Sequence, residues 1–169
     1  KEACEFAHNL NKKVYVTVNM IFHNEDLNGL DDYLKALDEI GIDSYIVSDF
    51  AVIESIKRLN LKTPFFISTQ KSITNLETVR FYKELGAYRV VLARETPIEL
   101  IKEIKNNTDI ELEIFIHGAL CMSYSGQCLI SALIGNRSGN RGTCAQSCRQ
   151  PYSLEIDGNI VEKDKYLLS

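Results

Sequence analysis

The sequence predicts an α/β fold: an incomplete (β/α) TIM-type barrel of parallel strands, with a Cys-rich loop region and a C-terminal β-hairpin. Three observations carry this reading. Short β-branched and aromatic runs begin near residues 13, 44, 64, 88 and 111, each preceded by a segment of helical periodicity. Strands alternating with helices at this spacing build βαβ units, and these form parallel sheets. No G-x-G-x-x-G follows any of the runs, which disfavours a dinucleotide-binding sheet and leaves the barrel. A complete barrel takes about 250 residues, so five strands within 169 make only part of one.

Residues 1–11 read as a helix with Ala3, Phe6, Ala7 and Leu10 on its apolar face and Cys4 as a small, partly buried hydrophobe. A strand over 13–20 and a loop around Phe22 to Asp26 lead to a helix using Leu30, Leu34, Leu37 and Ile40, closed by Gly41. Residues 44–48 form the second strand, and Asp49 is placed to cap a helix over 51–59. A third strand, 65–69, precedes Thr74 and Glu77, a capping-box pattern for the helix that stops before Gly86. The fourth strand is 88–93. Thr96, Pro97 and Glu99 then supply an N-cap, a first-turn proline and an early acid for a helix to about residue 105. The fifth strand is 111–116.

The partial barrel occupies residues 1–150, including the Cys-rich segment 117–149. Residues 151–169 begin a further hairpin: alternating apolar positions flank Asp157-Gly158, a two-residue turn signal. The apolar end Tyr166-Leu-Leu-Ser169 reads as truncated. Internal repeats and low-complexity tracts are absent from the sequence.

With 45% hydrophobic residues, the chain can bury a core. No run approaches the roughly 18 apolar residues of a membrane span, so no membrane partner is expected. Five cysteines, an odd number in a cluster unlike a disulfide framework, point to a reducing cytoplasmic setting. The sequence pI of about 5.4 argues against a general nucleic-acid coat and leaves a local basic groove open. Such a groove has a candidate. Residues 114–154 contain no Asp or Glu but hold Arg137, Arg141 and Arg149, so 41 residues carry +3 and the other 128 carry −7. A basic, glycine-rich segment on an acidic body suits a small anion.

That segment also holds Cys121, Cys128, Cys144 and Cys148. Three chemistries are open to them. Zinc takes four thiolates, although its usual C-x₂₋₄-C pairs are approached only by Cys144 and Cys148. A catalytic cysteine needs a partner that lowers its pKa, and His117 lies four residues before Cys121. An iron–sulfur cluster tolerates irregular spacing in Gly-rich loops. Ahead of this segment, the carboxyl ends of the strands carry Asn19, Asp49, Thr69, Gln70, Arg94, Glu95 and His117, which a barrel would bring to one mouth. Taken singly, Asp49 also reads as a helix cap and Arg94–Glu95 as a structural pair. Taken together, they read as a pocket, with Asn19, Asp49, Gln70, Arg94, Glu95 and His117 as catalytic candidates. His8 and His23 receive no role.

The run E-x-F-x-H-G-A-L-C-x-x-x-S-G-x-C-x-x-S from Glu113 to Ser131 resembles the signature of the collagenase-like peptidase family U32. R-S-G-N-R-G-T-C-A-Q-S-C-R, from Arg137 to Arg149, resembles that family's second cysteine block, and Ile67-Ser-Thr-Gln70 and Val91-Leu-Ala-Arg-Glu95 extend the likeness. The resemblance implies a larger barrel of which this is an internal part. Some relatives hydroxylate RNA bases without oxygen, others a quinone precursor, using a four-iron, four-sulfur cluster. By position, the resemblance matches Cys121, Cys128 and Cys144 to the ligands and Cys148 to a cysteine used in some relatives, with a ligand from beyond Ser169 as the alternative to Cys148. The second block looks closest to the RNA-modifying branch, which implies tRNA or rRNA as partner and prephenate as anionic co-substrate, with Arg137, Arg141 and Arg149 to bind it. Tyr124 and the arginines would contact a flipped or single-stranded pyrimidine. The alternative is a protease with Cys or metal catalysis, as the family name says; the sequence carries neither H-E-x-x-H nor G-x-S-x-G. A non-catalytic metal-binding module is a third reading.

Overall fold

The computed structural model describes residues 1–166; residues 167–169, which hold most of the apolar end read as a truncation, lie outside the described residues. Five strands form one parallel sheet: β1 (Tyr15–Val18), β2 (Ser44–Val47), β3 (Phe65–Ile67), β4 (Arg89–Val91) and β5 (Glu111–Glu113). Their spatial order is their chain order, β1-β2-β3-β4-β5. The connecting helices are α2 (Leu30–Ile40), α3 (Phe50–Arg58), α4 (Leu76–Glu84) and α5 (Ile98–Asn107), with α1 (Glu2–Asn9) ahead of β1. Because right-handed crossovers that always step the same way deposit their helices on one side, the sheet has one covered face. The core lies there: Tyr45, Val47, Ile67, Val90 and Leu92 pack with Leu34, Val52, Val79 and Ile104. The sheet is open, and β1 and β5 each pair on one side only.

The helix-free face is different. Arg89 on β4 donates to Glu111 at 2.6 Å and to Glu113 at 2.9 Å on β5, and its guanidinium lies 4.3 Å from the centre of the Phe66 ring. Tyr15 meets Phe66 edge-on at 5.0 Å. Strand alternation sends these residues to the side opposite the core.

Several element ends differ from the sequence reading. The fifth strand stops at Glu113, and Ile114 to Ile116 leave the ladder with Ile116 89% exposed. In α1 it is Cys4 that is buried, while Phe6 and Leu10 are exposed, because the helix meets the body along the Cys4 edge near the Gly41 carbonyl. The α4 cap is Asn75, whose Oδ1 accepts from the Thr78 amide at 2.8 Å, not Thr74 with Glu77. At α5 the Thr96 hydroxyl donates backward to the Ala93 carbonyl at 2.8 Å, so the helix starts after Pro97 without a side-chain cap. Asp49 does cap α3, accepting from the Ala51 amide at 2.9 Å. Gly41 ends α2 at φ +81.

Beyond β5 the chain is mostly irregular, broken by α6 (Ile130–Gly135) and by short 3₁₀ turns at Gly139–Arg141 and Ser147–Arg149. A separate antiparallel hairpin follows, β6 (Tyr152–Ile156) and β7 (Asn159–Lys165). Asp157 and Gly158 form its turn, both with positive φ (49° and 79°).

Candidate active site at the carboxyl ends of the strands

Parallel strands put all their carboxyl ends on one side, and the cysteine-bearing segment folds back over that side. Between them lies a cavity of about 670 Å³. Its walls include Gln70 from the end of β3, Arg94 from the end of β4, and His117, Cys121, Tyr124, Cys128 and Cys144 from the segment above. Two neighbouring cavities, of about 460 and 450 Å³, hold Asn19 and Arg141 in one and Asp49 in the other.

The segment is clamped to the strand ends by polar contacts. Arg94 donates from its two terminal nitrogens to the Cys121 carbonyl at 3.1 Å and the Ser123 carbonyl at 3.0 Å. Glu95 accepts from the Ser125 amide at 3.0 Å and lies 3.6 Å from Arg94. Burial pushes the Glu95 carboxyl up, but backbone amides, Ser125 and the Arg94 charge outweigh it and hold the group below the usual carboxylate range. The Ser72 hydroxyl donates to the Ser125 carbonyl and accepts from Gln127. Gly126, at φ +74, touches the Gln70 backbone so closely that any Cβ would collide with its carbonyl. Arg94 and Glu95 thus act here as anchors of the first cysteine loop.

The remaining candidates fall as follows. Asp49 has both oxygens engaged, by the Ala51 amide and by the Phe22 amide at 3.0 Å, so it supports the backbone. Asn19 donates to the Ser68 hydroxyl at 3.0 Å. His117 is exposed on the cavity wall.

The three arginines are not an open anion cluster. Arg141 is spent: it grips Asp26 through both terminal nitrogens at 2.6 and 2.9 Å and donates to the Ile21 carbonyl at 2.6 Å. The Arg141 guanidinium in turn holds the Asp26 carboxyl well below its ordinary value. Arg137 donates its Nε to the Thr143 carbonyl at 2.9 Å and Arg149 one terminal nitrogen to the Leu120 carbonyl at 2.6 Å; both side chains stay exposed.

All five cysteines are free thiols. Cys121, Cys128 and Cys144 share the large cavity, whereas Cys148 sits outside its wall in the Ser147–Arg149 turn packed on α6. Among the described residues, no three His, Cys, Asp or Glu side chains are close enough together to hold a metal ion. The expected four-cysteine centre is therefore not assembled in this arrangement. The donors suit an iron–sulfur cluster in kind, and the Gln146 amide already points at the Cys144 sulfur at 3.3 Å, but their positions do not converge.

Two features escaped the sequence reading. Asn140 is buried where the three cavities meet, in a Gly-Asn-Arg-Gly turn that reads as a solvated loop. The other is the Arg89–Glu111–Glu113 layer, for which charge at alternating positions of the fifth strand was the available signal.

The profile of peptidase family U32 matches residues 1–169. The chain is 48% identical over 158 residues to tRNA hydroxylation protein P1 of Bacillus subtilis, covering 93% of this chain and 37% of that protein. It is 41% identical over 170 residues to a 23S rRNA 5-hydroxycytidine synthase of Escherichia coli, covering 99% of this chain and 25% of that one. A collagenase of Porphyromonas gingivalis is 33% identical over 171 residues, covering 93% of this chain and 41% of that protein. The chain thus spans well under half the length of these relatives. The solved structure of a U32 peptidase superposes with a TM-score of 0.57 at 15% identity, over 67% of this chain and 49% of that chain. Among the described residues, no helix is long and apolar enough to cross a membrane. A profile match along all 169 residues, joined to the two cysteine blocks folded over the strand ends, makes this chain a member of peptidase family U32.

Proposed function

We propose that this span supplies the active-site mouth of a cytoplasmic RNA hydroxylase acting on a pyrimidine of tRNA or rRNA. The observation that carries the reading is a gradient of similarity: 48% and 43% identity to proteins named for tRNA hydroxylation and 41% to an rRNA hydroxycytidine synthase, against 38% to a protein named as an uncharacterized protease and 33% to a collagenase. The open five-stranded sheet is then part of a larger (β/α) barrel whose interior is the face carrying Arg89 and Phe66. Single-stranded or flipped RNA enters over the exposed rim of Tyr124, Met122 and Leu120, where aromatic and apolar surface can stack a base. Arg137 and Arg149, each with guanidinium donors left over, face the phosphates or a prephenate-type anion.

Cys121, Cys128 and Cys144 would supply three thiolates to a four-iron, four-sulfur cluster, and Cys148 or a residue outside this span the fourth. Holding it would require the thiolates to draw together, since metal binding and loop ordering are coupled. When bound, the cluster supplies electron-transfer or Lewis-acid chemistry at the mouth. The chain's own part is to fix the loop: Arg94, Glu95 and Ser72 hold its backbone, and Gln70 and His117 face the space beneath it.

The protease reading keeps one observation in its favour, that His117 and Cys121 share a cavity wall. Deleting the gene and returning it as the full-length protein separates the two. Mass spectrometry of tRNA and rRNA nucleosides should show a hydroxylated pyrimidine that vanishes with the gene, returns with the wild type and stays absent with Cys128→Ser. Nucleosides indifferent to the gene, together with peptide hydrolysis by the anaerobically purified protein, would establish the protease instead.

A further inference from the structure

Gln70 and Asn140 line all three cavities along the strand ends. Asn140 is only 7% exposed, yet among the described residues its carboxamide makes no hydrogen bond, and neither does that of Gln70. Neither carboxamide is sealed in the interior: Gln70 is half-buried, and both open onto the cavities, where a ligand can supply the missing partner.

Both residues are fixed from behind. The Asn140 carbonyl accepts from the Ile21 amide at 3.0 Å, and the next residue, Arg141, is tied to Asp26. The Gln70 amide donates to the Ser68 hydroxyl at 3.2 Å, and its carbonyl is pressed against Gly126. The backbone is therefore held while the side-chain amides are left to face the cavities.

A carboxamide offers a donor pair and an acceptor on one small, uncharged group. That matches the edge of a pyrimidine. Uracil presents an N–H between two carbonyls; cytosine presents a ring nitrogen between an amino group and a carbonyl. An amide that can rotate satisfies either edge. An anionic co-substrate would instead seek a cation such as Arg137 or Arg149, neither of which lines the large cavity.

We infer that Gln70 and Asn140 hydrogen-bond the edge of the target pyrimidine and hold the base in the mouth. The inference rests on the RNA-hydroxylase reading and names the part of the substrate that this point of the mouth contacts.

The test uses the full-length enzyme on its RNA substrate, with the isosteric changes Asn140→Asp and Gln70→Glu, which replace an amide donor by a carboxylate oxygen. Each should lower kcat/KM for RNA by about 10- to 100-fold, the effect of leaving a base-edge contact unmade. The KM for the anionic co-substrate and the iron content should stay at wild-type levels. Asn140→Leu should melt no lower than the wild type while losing RNA hydroxylation, since no internal hydrogen bond is removed. Full RNA turnover by both isosteric variants, a defect confined to the co-substrate KM, or a large fall in melting temperature for Asn140→Leu would each overturn the inference while wild-type activity stands. A wild-type protein that leaves RNA unmodified removes the hydroxylase reading, and this inference with it.

Discussion

The sheet and its helices, up to Ile110, and the cysteine-bearing segment beyond β5 are held by opposite means. Every buried hydrophobic side chain among the described residues lies at or before Ile110. In the segment the buried residues are Ser125, Ser131, Asn140 and Ser147, all polar, while Ile116, Leu120 and Leu133 are at least 70% exposed. The first region makes its own core by burying apolar surface. The second borrows order from the first, through Arg94, Glu95, Ser72 and the Arg141–Asp26 pair. A segment anchored through its backbone leaves its thiols and aromatic side chains free to act, which core packing would not permit.

Four substitutions, one of them a control, would break or sharpen this contrast. The largest effect should come from Ile67→Ala, in the middle of the covered face and fully buried. A loss of about 3–4 kcal/mol is expected in urea unfolding, because the cavity left by a core isoleucine cannot collapse completely. Both regions should be lost in one transition; survival of the segment's structure would show that it has a core of its own.

Gly126→Ala should cost less in total but act only on the segment. The new methyl meets the Gln70 carbonyl at a positive φ, which together cost about 3 kcal/mol. Gly142→Ala, at φ +77 with nothing within 4 Å, should cost about 1 kcal/mol and serves as the control. In the Gly126 variant, iodoacetamide should label Cys128 faster while Cys4, buried in the first region, stays protected. Equal labelling of Cys128 in the two glycine variants would remove Gly126 as the docking point.

The smallest effect is the one tied to pH. The Arg141 hydrogen bonds, aided by the His23 amide, keep Asp26 ionised in the folded chain below its ordinary value of 3.8. A depressed folded value stabilises the fold fully above the unfolded value and loses that contribution as pH falls through the folded one. Asp26→Asn should therefore be less stable than wild type at pH 7, with the gap closing as the pH is taken below about 4. A gap that does not narrow in acid would mean that packing, not charge, links Asp26 to Arg141.

The legible part of the molecule is the part whose causes are local. Strand starts at 15, 44, 65, 89 and 111 follow from apolar runs, and Asp49 caps a helix two residues away. Asp157-Gly158 shapes a turn from its own dihedrals. Thr96 was misread because its hydroxyl had two nearby uses, a helix amide ahead or the Ala93 carbonyl behind, and the second won. In the site, the cysteine pattern marked the segment, and its position over the strand ends followed from the parallel sheet. What joins Arg94 to Cys121 and Ser123, 27 and 29 residues on, has no periodicity to read. Arg141 looked like a free cation because its partner lies 115 residues earlier.

That last separation bears on the order of events as the chain folds. Neighbouring strands of the sheet meet across short connections, whereas the Asp26 carboxylate, which follows β1, must wait for a guanidinium that comes after the other four strands. Closing the longer loop costs more chain entropy than pairing neighbouring strands unless intervening structure has already shortened it. The sheet should thus form early and the bridge late, so that the cysteine-bearing segment docks on a finished platform. A chain arrested before the bridge forms would display its thiols without the mouth that gives them a use.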